Sequence, residues 1–500
     1  MEEYIGINIG ALLTKFSVCE PLSKKQIYNS KDFKLKLELN DIIDRILPSM
    51  IQYKENNITL IGRSTKLGYK KYYLSTFENL SRFIGLGNKC GIFEEEKKYF
   101  LTLNNFNDGV FNFNLNNQEY TYPVDNIVYE FIKQIDIKIK KKLNENKLNK
   151  YFFSIPDYYI IFQKQSLNNI LKNLCDKIDF PLINESTALT MYYGYFNYDE
   201  LSEEKTYIIF IDIGHSKTSF ILSELTKKEF VVKEVKNIPF IGGRDFNYRI
   251  FELCLKKFEE ENKRKLVITG RNKIRLMEEI ENKRKILSIN EDININIEGI
   301  ERGIDFSYTI KRSEFEEKIS KELNIFEIEF KSFYNNIKSK YKISKIEMAG
   351  QLMRTPKLKS IVYEISNIIL SETISLDMCH SLGVLLYGIF ILENRHYEEL
   401  KSVKSYNNYS LYYSFDKKNK IELVKKGENF PIEKTIKINK DDYQKYEKIY
   451  LFYDNNELKD LNANINDEFD SKNIKKYVKN EAQNFYLNYK INESNEFEFI

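Results

Sequence analysis

Asn8-Ile-Gly-Ala-Leu-Leu-Thr-Lys-Phe-Ser-Val18 and Asp212-Ile-Gly-His-Ser-Lys-Thr-Ser-Phe-Ile-Leu222 are one eleven-residue phrase written twice, 204 positions apart. In each copy an apolar strand, residues 4–9 or 208–213, ends in Asn or Asp, followed by Ile-Gly, a turn and a second alternating strand. This reads as a β-hairpin with glycine at the bend. Such a bend points backbone N–H groups into a concavity that suits phosphate oxygens, and a carboxylate at the strand end can hold a metal through water. Two copies facing each other would form a phosphate clamp. A single glycine turn is a weak signal, and chance explains one copy. The shared offsets of Gly10/Gly214, Thr14/Thr218 and Phe16/Phe220 favour true repetition.

Around this repeat, 500 residues exceed what one hydrophobic core serves, so two or three domains are expected. The composition is that of a globular protein, 42% hydrophobic and 30% charged, and its aromatics are Tyr and Phe without Trp. A net charge of +4, from 77 basic and 73 acidic residues, argues against a dedicated nucleic-acid or membrane-surface protein. The five cysteines contain no C-x-x-C pair, so neither a disulfide framework nor a zinc site is indicated. His215, His380 and His396 lie too far apart in sequence to suggest a metal cluster. Met-Glu-Glu-Tyr opens the chain without a basic or apolar leader, and the longest apolar run, 382–392, is about half of the roughly 20 residues a membrane helix needs. A reducing, cytoplasmic location is expected.

Residues 1–394 alternate strand and helix patterns, as in α/β folds. Apolar residues from Ile127 to Ile139 predict a helix with one buried face, closed by lysines that suit its C-terminal dipole. Beyond about 396, short aromatic or alternating runs at 409–415, 421–423, 435–438, 448–453, 485–491 and 497–500 predict a separate all-β domain.

Four segments between the repeats and the β-region carry possible chemistry. Asn184-Glu185 ends an apolar stretch, with Ser186 and Thr187 placed to cap a helix; Glu185 either orients a water toward the clamp or only complements the helix N-terminus. Gly242-Gly243 opens a helix over 246–258, as an anion site or as an ordinary turn. Glu281, Arg284, Lys285 and Ser288 share one helix face, which would suit a purine nucleoside or simply be a solvated charged face. Spacing alone does not place Lys66 near phosphate.

Taken as an ordered set, these segments resemble the seventy-kilodalton heat-shock chaperone superfamily, a branch of the actin and sugar-kinase fold. Asp212-Ile-Gly-His-Ser216 has the form of its hundred-and-ten-kilodalton branch. Further matches fall in order at 6–10, Lys66, 154–156, 183–194, 242–246, 284–288, 303–306, 312–317, 349–356 and 377–383. The resemblance implies an actin-like ATPase fold of two ribonuclease-H-like lobes, about 1–190 and 191–394, with ATP or ADP and Mg in the cleft. It also implies a small β-sandwich substrate-binding-like domain over 395–500. By the same carry-over, Gly10, Ala11, Leu12 and Leu13 form one phosphate turn and Gly214, His215, Ser216 and Lys217 the other. Gly242 and Gly243 lie beside them. Asp212 and Asn8 approach the metal, Glu185 and Lys66 flank the attacking water and terminal phosphate, and Asp212 completes the catalytic set. Glu281, Arg284, Lys285 and Ser288 hold adenosine, assisted by Gly350, Arg354 and Asp377.

Departures from the family pattern shape the expected mechanism. Asn8 stands where the family has a metal-directed Asp, Ala11 where a chaperone ATPase has Thr, and Ser219 where it has Asp. Lys217 replaces a small Thr, and Gly350-Gln351 a Gly-Gly pair. Losing one preorganised group commonly costs about a hundredfold in phosphoryl transfer, so binding with weak or absent hydrolysis is expected. The family's acidic interdomain linker has no evident counterpart in 394–409, nor has its helical lid. The resemblance therefore implies an ATP-binding co-chaperone that acts as nucleotide exchange factor for a conventional heat-shock chaperone. Its rivals are an ATP-hydrolysing chaperone of unfolded clients and a passive holdase. Neither nucleic acid nor membrane is an expected partner.

Overall fold

The computed structural model describes residues 3–19, 46–54, 58–85, 96, 98–99, 106–107, 110–115, 118–143, 149–174, 182–238, 240–301, 303–392, 399–446, 448–454, 468–473, 478–481, 484–492 and 497–499. Two sheets built on the repeated hairpins organise it. In the first, Leu182–Asn184, Asn149–Ile155 and Glu3–Ile9 run parallel, and Leu13–Cys19 and Ile46–Pro48 continue antiparallel. In the second, Leu370–Ser371, Ile343–Ala349 and Thr206–Ile213 run parallel, and Thr218–Leu225 and Glu229–Ile238 continue antiparallel. Order and direction are the same in both. The hairpin registers also correspond, Asn8 facing Lys15 and Asp212 facing Ser219.

Two helices, Glu185–Phe196 and Cys379–Leu392, fill the space between the sheets and share one apolar core with Tyr4, Phe152, Ile208 and Phe210. Their sequences are apolar on nearly every side because each is covered on every side. Gly383 lets them cross closely: a Cβ there would collide with the Ala188 carbonyl. This packing brings the strand ends of both sheets, and both bends, to one cleft.

Two helices extend past the sequence expectations, to Val124–Leu143 and Gly243–Asn262, and a third, expected around 272–287, spans Gly270–Ile286. In the first, Lys138, Lys140 and Lys141 are exposed, as a solvated helix end requires, and Lys140 pairs with Asp136 at 2.7 Å. Ser288 falls just beyond the third, so it does not continue that helix's face.

Past residue 399 the described elements are mostly strands. Ser402–Tyr406, in the stretch where no linker counterpart was expected, lies parallel to Glu229–Ile238 and extends the second sheet, with Asn429–Phe430 as its outer neighbour. Asn429 Nδ2 fastens this edge by donating to the carbonyls of Val232 (2.6 Å) and Ser405 (2.8 Å). Polar Ser-Val-Lys-Ser-Tyr carries no linker signature, because strand pairing of this kind needs backbone groups more than particular side chains. Two further antiparallel sheets follow. One joins Ile421–Val424, Ser410–Ser414, Lys448–Asp454 and Glu468–Asn473; the other joins Ile432–Ile438, Asn484–Ile491, Val478–Glu481 and Phe497–Phe499. The Tyr489 hydroxyl of the second donates to the Leu423 carbonyl of the first at 2.5 Å. Among the described residues no helix is long and apolar enough to cross a membrane.

Candidate functional site

Both bends close in the same way. Gly10 N donates to the Leu13 carbonyl at 3.1 Å, and Gly214 N to the Lys217 carbonyl at 3.0 Å. The repeated threonines are buried tethers: Thr14 Oγ1 lies 2.8 Å from Ser49 Oγ, and Thr218 Oγ1 donates to the Ile241 carbonyl at 2.8 Å. The repeated phenylalanines are core residues. These roles account for the shared offsets in the sequence.

The bends line one cleft of about 140 Å³. Of the residues singled out in the sequence, Asn8, Gly10, Ala11, Leu12, Leu13, Glu185, Asp212, Gly214, His215, Ser216, Lys217, Gly243, Glu281, Arg284, Lys285, Gly350 and Asp377 line it. Gly350 needs to be glycine, since its φ is 78° and a Cβ would strike the Ile213 carbonyl. Four predicted residues lie elsewhere. Gly242 packs under the second bend, where a Cβ would meet the His215 carbonyl, and its N–H donates to Asp245 Oδ2 at 2.8 Å. Lys66, exposed on the short helix Arg63–Gly68, lines an adjoining cavity of about 220 Å³ that shares Ala11, Leu12, Leu13, His215, Glu281 and Lys285 with the cleft. Ser288 Oγ donates to the Lys285 carbonyl at 2.7 Å, and Arg354 is exposed on the turn Gln351–Arg354.

At the cleft floor, polar side chains are buried together. Asn8 Nδ2 donates to Ser154 Oγ and to Glu185 Oε1, both at 2.8 Å. The Lys217 ammonium lies 2.7 Å from Glu185 Oε2 and donates to Asp212 Oδ2 at 3.2 Å and Ser219 Oγ at 3.1 Å. Burial alone would raise the Glu185 carboxyl, but Lys217 and then His380 outweigh it and hold it below the usual carboxylate range. Asp212 is held down by the same two cations against the same burial. Lys217 is raised, because Glu185 and Asp212 overcome the desolvation that would lower it. Burial, opposed by Glu281, pushes His215 down to about 4, so the imidazole in the second bend is neutral near pH 7.

Sequence reasoning missed two members of this floor. His380 Nε2 lies 3.5 Å from Asp212 Oδ2, and ligand atoms of Glu185, Asp212 and His380 fall within 4.8 Å of one another. Long separations in sequence therefore gave no warning of a cluster that the helix Cys379–Leu392 assembles. Asp157 is the second. The expected caps Ser186 and Thr187 lie inside their helix, and the Asp157 carboxylate instead accepts from Ser186 N–H at 2.9 Å and from the Ser186 hydroxyl. The strands before Asp157 and Glu185 are parallel neighbours, so both end at the same edge. The strand end Ser154-Ile155, followed directly by Pro156-Asp157, was the available signal.

On the helix Gly270–Ile286, Lys285 Nζ donates to Glu281 Oε1 at 2.8 Å, and Arg284 Nε to Asn247 Oδ1 at 2.6 Å. Burial, opposed by Glu281, pushes the Arg284 guanidinium down to about 10. The Gly214 and His215 carbonyls accept from Gly243 N (3.0 Å) and Arg244 N (2.9 Å), fixing the second bend to its following helix. Arg244 also reaches across to buried Glu96, which Arg82 holds at 3.0 Å.

Two sheets of matching topology, wedged apart by two helices and closing paired glycine bends over one cleft, define the actin-like ATPase fold. A family model described as Hsp70 protein matches residues 5–492, and the chain belongs to that family. It is 24% identical over 408 residues to a heat shock protein homolog of Lachancea kluyveri, covering 80% of this chain and 58% of that protein. To a heat shock protein homolog of Saccharomyces cerevisiae it is 23% identical over 417 residues, covering 81% and 60%, and to heat shock protein 88 of Dictyostelium discoideum 25% over 345 residues, covering 67% and 44%. These relatives are of the hundred-and-ten-kilodalton type that the Asp-Ile-Gly-His-Ser segment resembles. The chain spans about 60% or less of the length of these curated relatives.

Family members bind ATP or ADP with magnesium, and the two groups fit this cleft differently. The lining is compatible with a nucleotide: glycine bends would suit phosphates, and the partly desolvated Arg284 plane beside Glu281 and Lys285 would suit a base and ribose. The magnesium ion does not fit between the carboxylates, because the Lys217 ammonium already engages Glu185 and Asp212 together.

Proposed function

We propose that this chain is an ATP-binding co-chaperone that hydrolyses its nucleotide slowly or not at all and promotes nucleotide exchange on a conventional Hsp70 chaperone in the cytoplasm. One observation carries the reading: Glu185 Oε1 accepts from Asn8, and Oε2 lies 2.7 Å from the Lys217 ammonium in a buried ion pair. A carboxylate so paired, and kept ionised by its cations, is a weak proton acceptor for an attacking water. Asn8 and Ala11 supply no replacement. The bound nucleotide then acts as a structural ligand, closing the cleft rather than driving a cycle.

Fixed geometry suits a protein that docks as a template. The buried Arg82–Glu96–Arg244 cluster, the Ser402–Tyr406 strand and the Asn429 clasp tie distant parts of the chain together. We assign the two β-sheets after residue 410 to the family's substrate-binding sandwich, supported by their buried aromatic and aliphatic residues from Tyr409 to Ile491. Stopped-flow release of labelled ADP from a conventional Hsp70 tests the function: the ATP-loaded chain should accelerate it at least about tenfold. No acceleration, together with peptide-stimulated ATP hydrolysis by this chain, would overturn the assignment in favour of an active chaperone.

A further inference from the structure

The cleft floor holds a cation of its own. The geometry points to the Lys217 ammonium as a permanent substitute for the divalent ion, so that this chain takes nucleoside phosphate free of metal rather than as its magnesium complex. Lys217 is 8% exposed, and its ammonium has Glu185 Oε2 at 2.7 Å, Ser219 Oγ at 3.1 Å and Asp212 Oδ2 at 3.2 Å. Two of these contacts, to Asp212 and Ser219, are hydrogen bonds, and the third, to Glu185, is an ion pair. A divalent ion held by the same carboxylates would sit within a few ångströms of that fixed positive charge, where repulsion in a desolvated site is severe. The bend fixes the backbone from which this side chain springs, since the Lys217 carbonyl accepts from Gly214 N.

Charge balance agrees. The Glu185 and Asp212 carboxylates are faced by Lys217 and by the His380 imidazole, 3.5 Å from Asp212, and the third buried carboxyl, Asp157, is engaged by the Ser186 N–H and hydroxyl, so the pair that would reach a divalent ion already has its counter-charge. Ser219 removes a further carboxylate and accepts from Lys217 instead, while donating to Asn237 Oδ1 at 2.9 Å. The same offset in the first bend is Leu13; the cation of the first hairpin, Lys15, stands two residues further on and donates to the Leu376 carbonyl at 3.4 Å rather than to the carboxylates of the floor.

The nucleotide half of this proposal rests on the function proposed above; the cation half does not. Electron paramagnetic resonance of manganese titrated into the full-length chain without nucleotide tests the latter. Wild type should leave the free manganese signal undiminished, Lys217→Thr should acquire one site, and Lys217→Arg should not. A stoichiometric manganese site in wild type, abolished by Asp212→Asn, overturns the proposal even if Lys217→Thr does not fold. Calorimetric titration of ADP in magnesium and in EDTA tests the former: affinities within about threefold are expected, and a loss beyond about tenfold in EDTA overturns it while leaving nucleotide binding intact. Binding in neither buffer overturns both the nucleotide reading and this half of the proposal.

Discussion

The first and second hairpins share a backbone and differ in chemistry. Both close through a glycine N–H, both bury a threonine tether and a core phenylalanine, and both present an Asn or Asp at the strand end in the same register. The first bend, however, carries Asn8, Ala11 and Leu13, with an amide whose two hydrogens are given to Ser154 and Glu185. The second carries an ion pair, Asp212 with Lys217. Positions that make the turn are kept in both copies, whereas positions that face the cleft have separated. Backbone shape and cleft chemistry thus vary independently within one fold.

The largest break in this comparison comes at the equivalent positions 13 and 217. Lys217→Met leaves Glu185 and Asp212 buried with a diminished counter-charge and should cost about 3 to 5 kcal/mol in urea unfolding. Leu13→Met, a change of similar volume in the neutral bend, should cost under about 1.5 kcal/mol. Equal effects would show that the ion pair is not what distinguishes the hairpins.

The glycines sharpen the same contrast. A Cβ on Gly10 would lie 2.7 Å from the Leu13 carbonyl oxygen, whereas on Gly214 its nearest neighbour would be 3.9 Å away. Gly10→Ala should therefore destabilise by about 1 to 3 kcal/mol, as overpacking does, and Gly214→Ala by less than about 0.5 kcal/mol. Chemical denaturation of the two single variants checks the order.

A second buried lysine gives a smaller, pH-dependent counterpart. Lys164 stacks over the Tyr409 ring at 4.9 Å, and burial, opposed by Asp157, pushes its pKa from 10.5 down to about 7. The unfolded chain therefore binds more protons between pH 7 and 10.5, and stability rises with pH across that window. Below pH 7 the penalty is fully present. Lys164→Met should stabilise by about 1 to 2 kcal/mol at pH 6 and gain little above pH 10.5, read from melting curves at each pH. A gain independent of pH would mean that packing, not charge, is responsible.

Much of this was legible in the sequence because it lies in local pattern. Hairpin repetition, strand-end Asn8 and Asp212, the Gly242-Gly243 helix start and the aromatic strand runs after 409 are all short-range signals. What the sequence concealed is contact between distant segments. His380 enters through a helix nearly 170 residues after Asp212, and Asp157 caps a helix 29 positions on. The Ser402–Tyr406 strand escaped notice because backbone pairing leaves little trace in side-chain type. Lys217 was visible as a departure, but spacing could not show that its ammonium bridges two carboxylates.

A single-turnover experiment addresses the central claim, that the cleft holds a triphosphate without cleaving it. Radiolabelled ATP is mixed with excess protein, and bound nucleotide is resolved over time for wild type and for Asn8→Asp combined with Ala11→Thr and Lys217→Thr. Wild type should retain intact ATP, and the triple variant should cleave it at least about tenfold faster. Prompt conversion to ADP by wild type, or no retained nucleotide, would contradict the account.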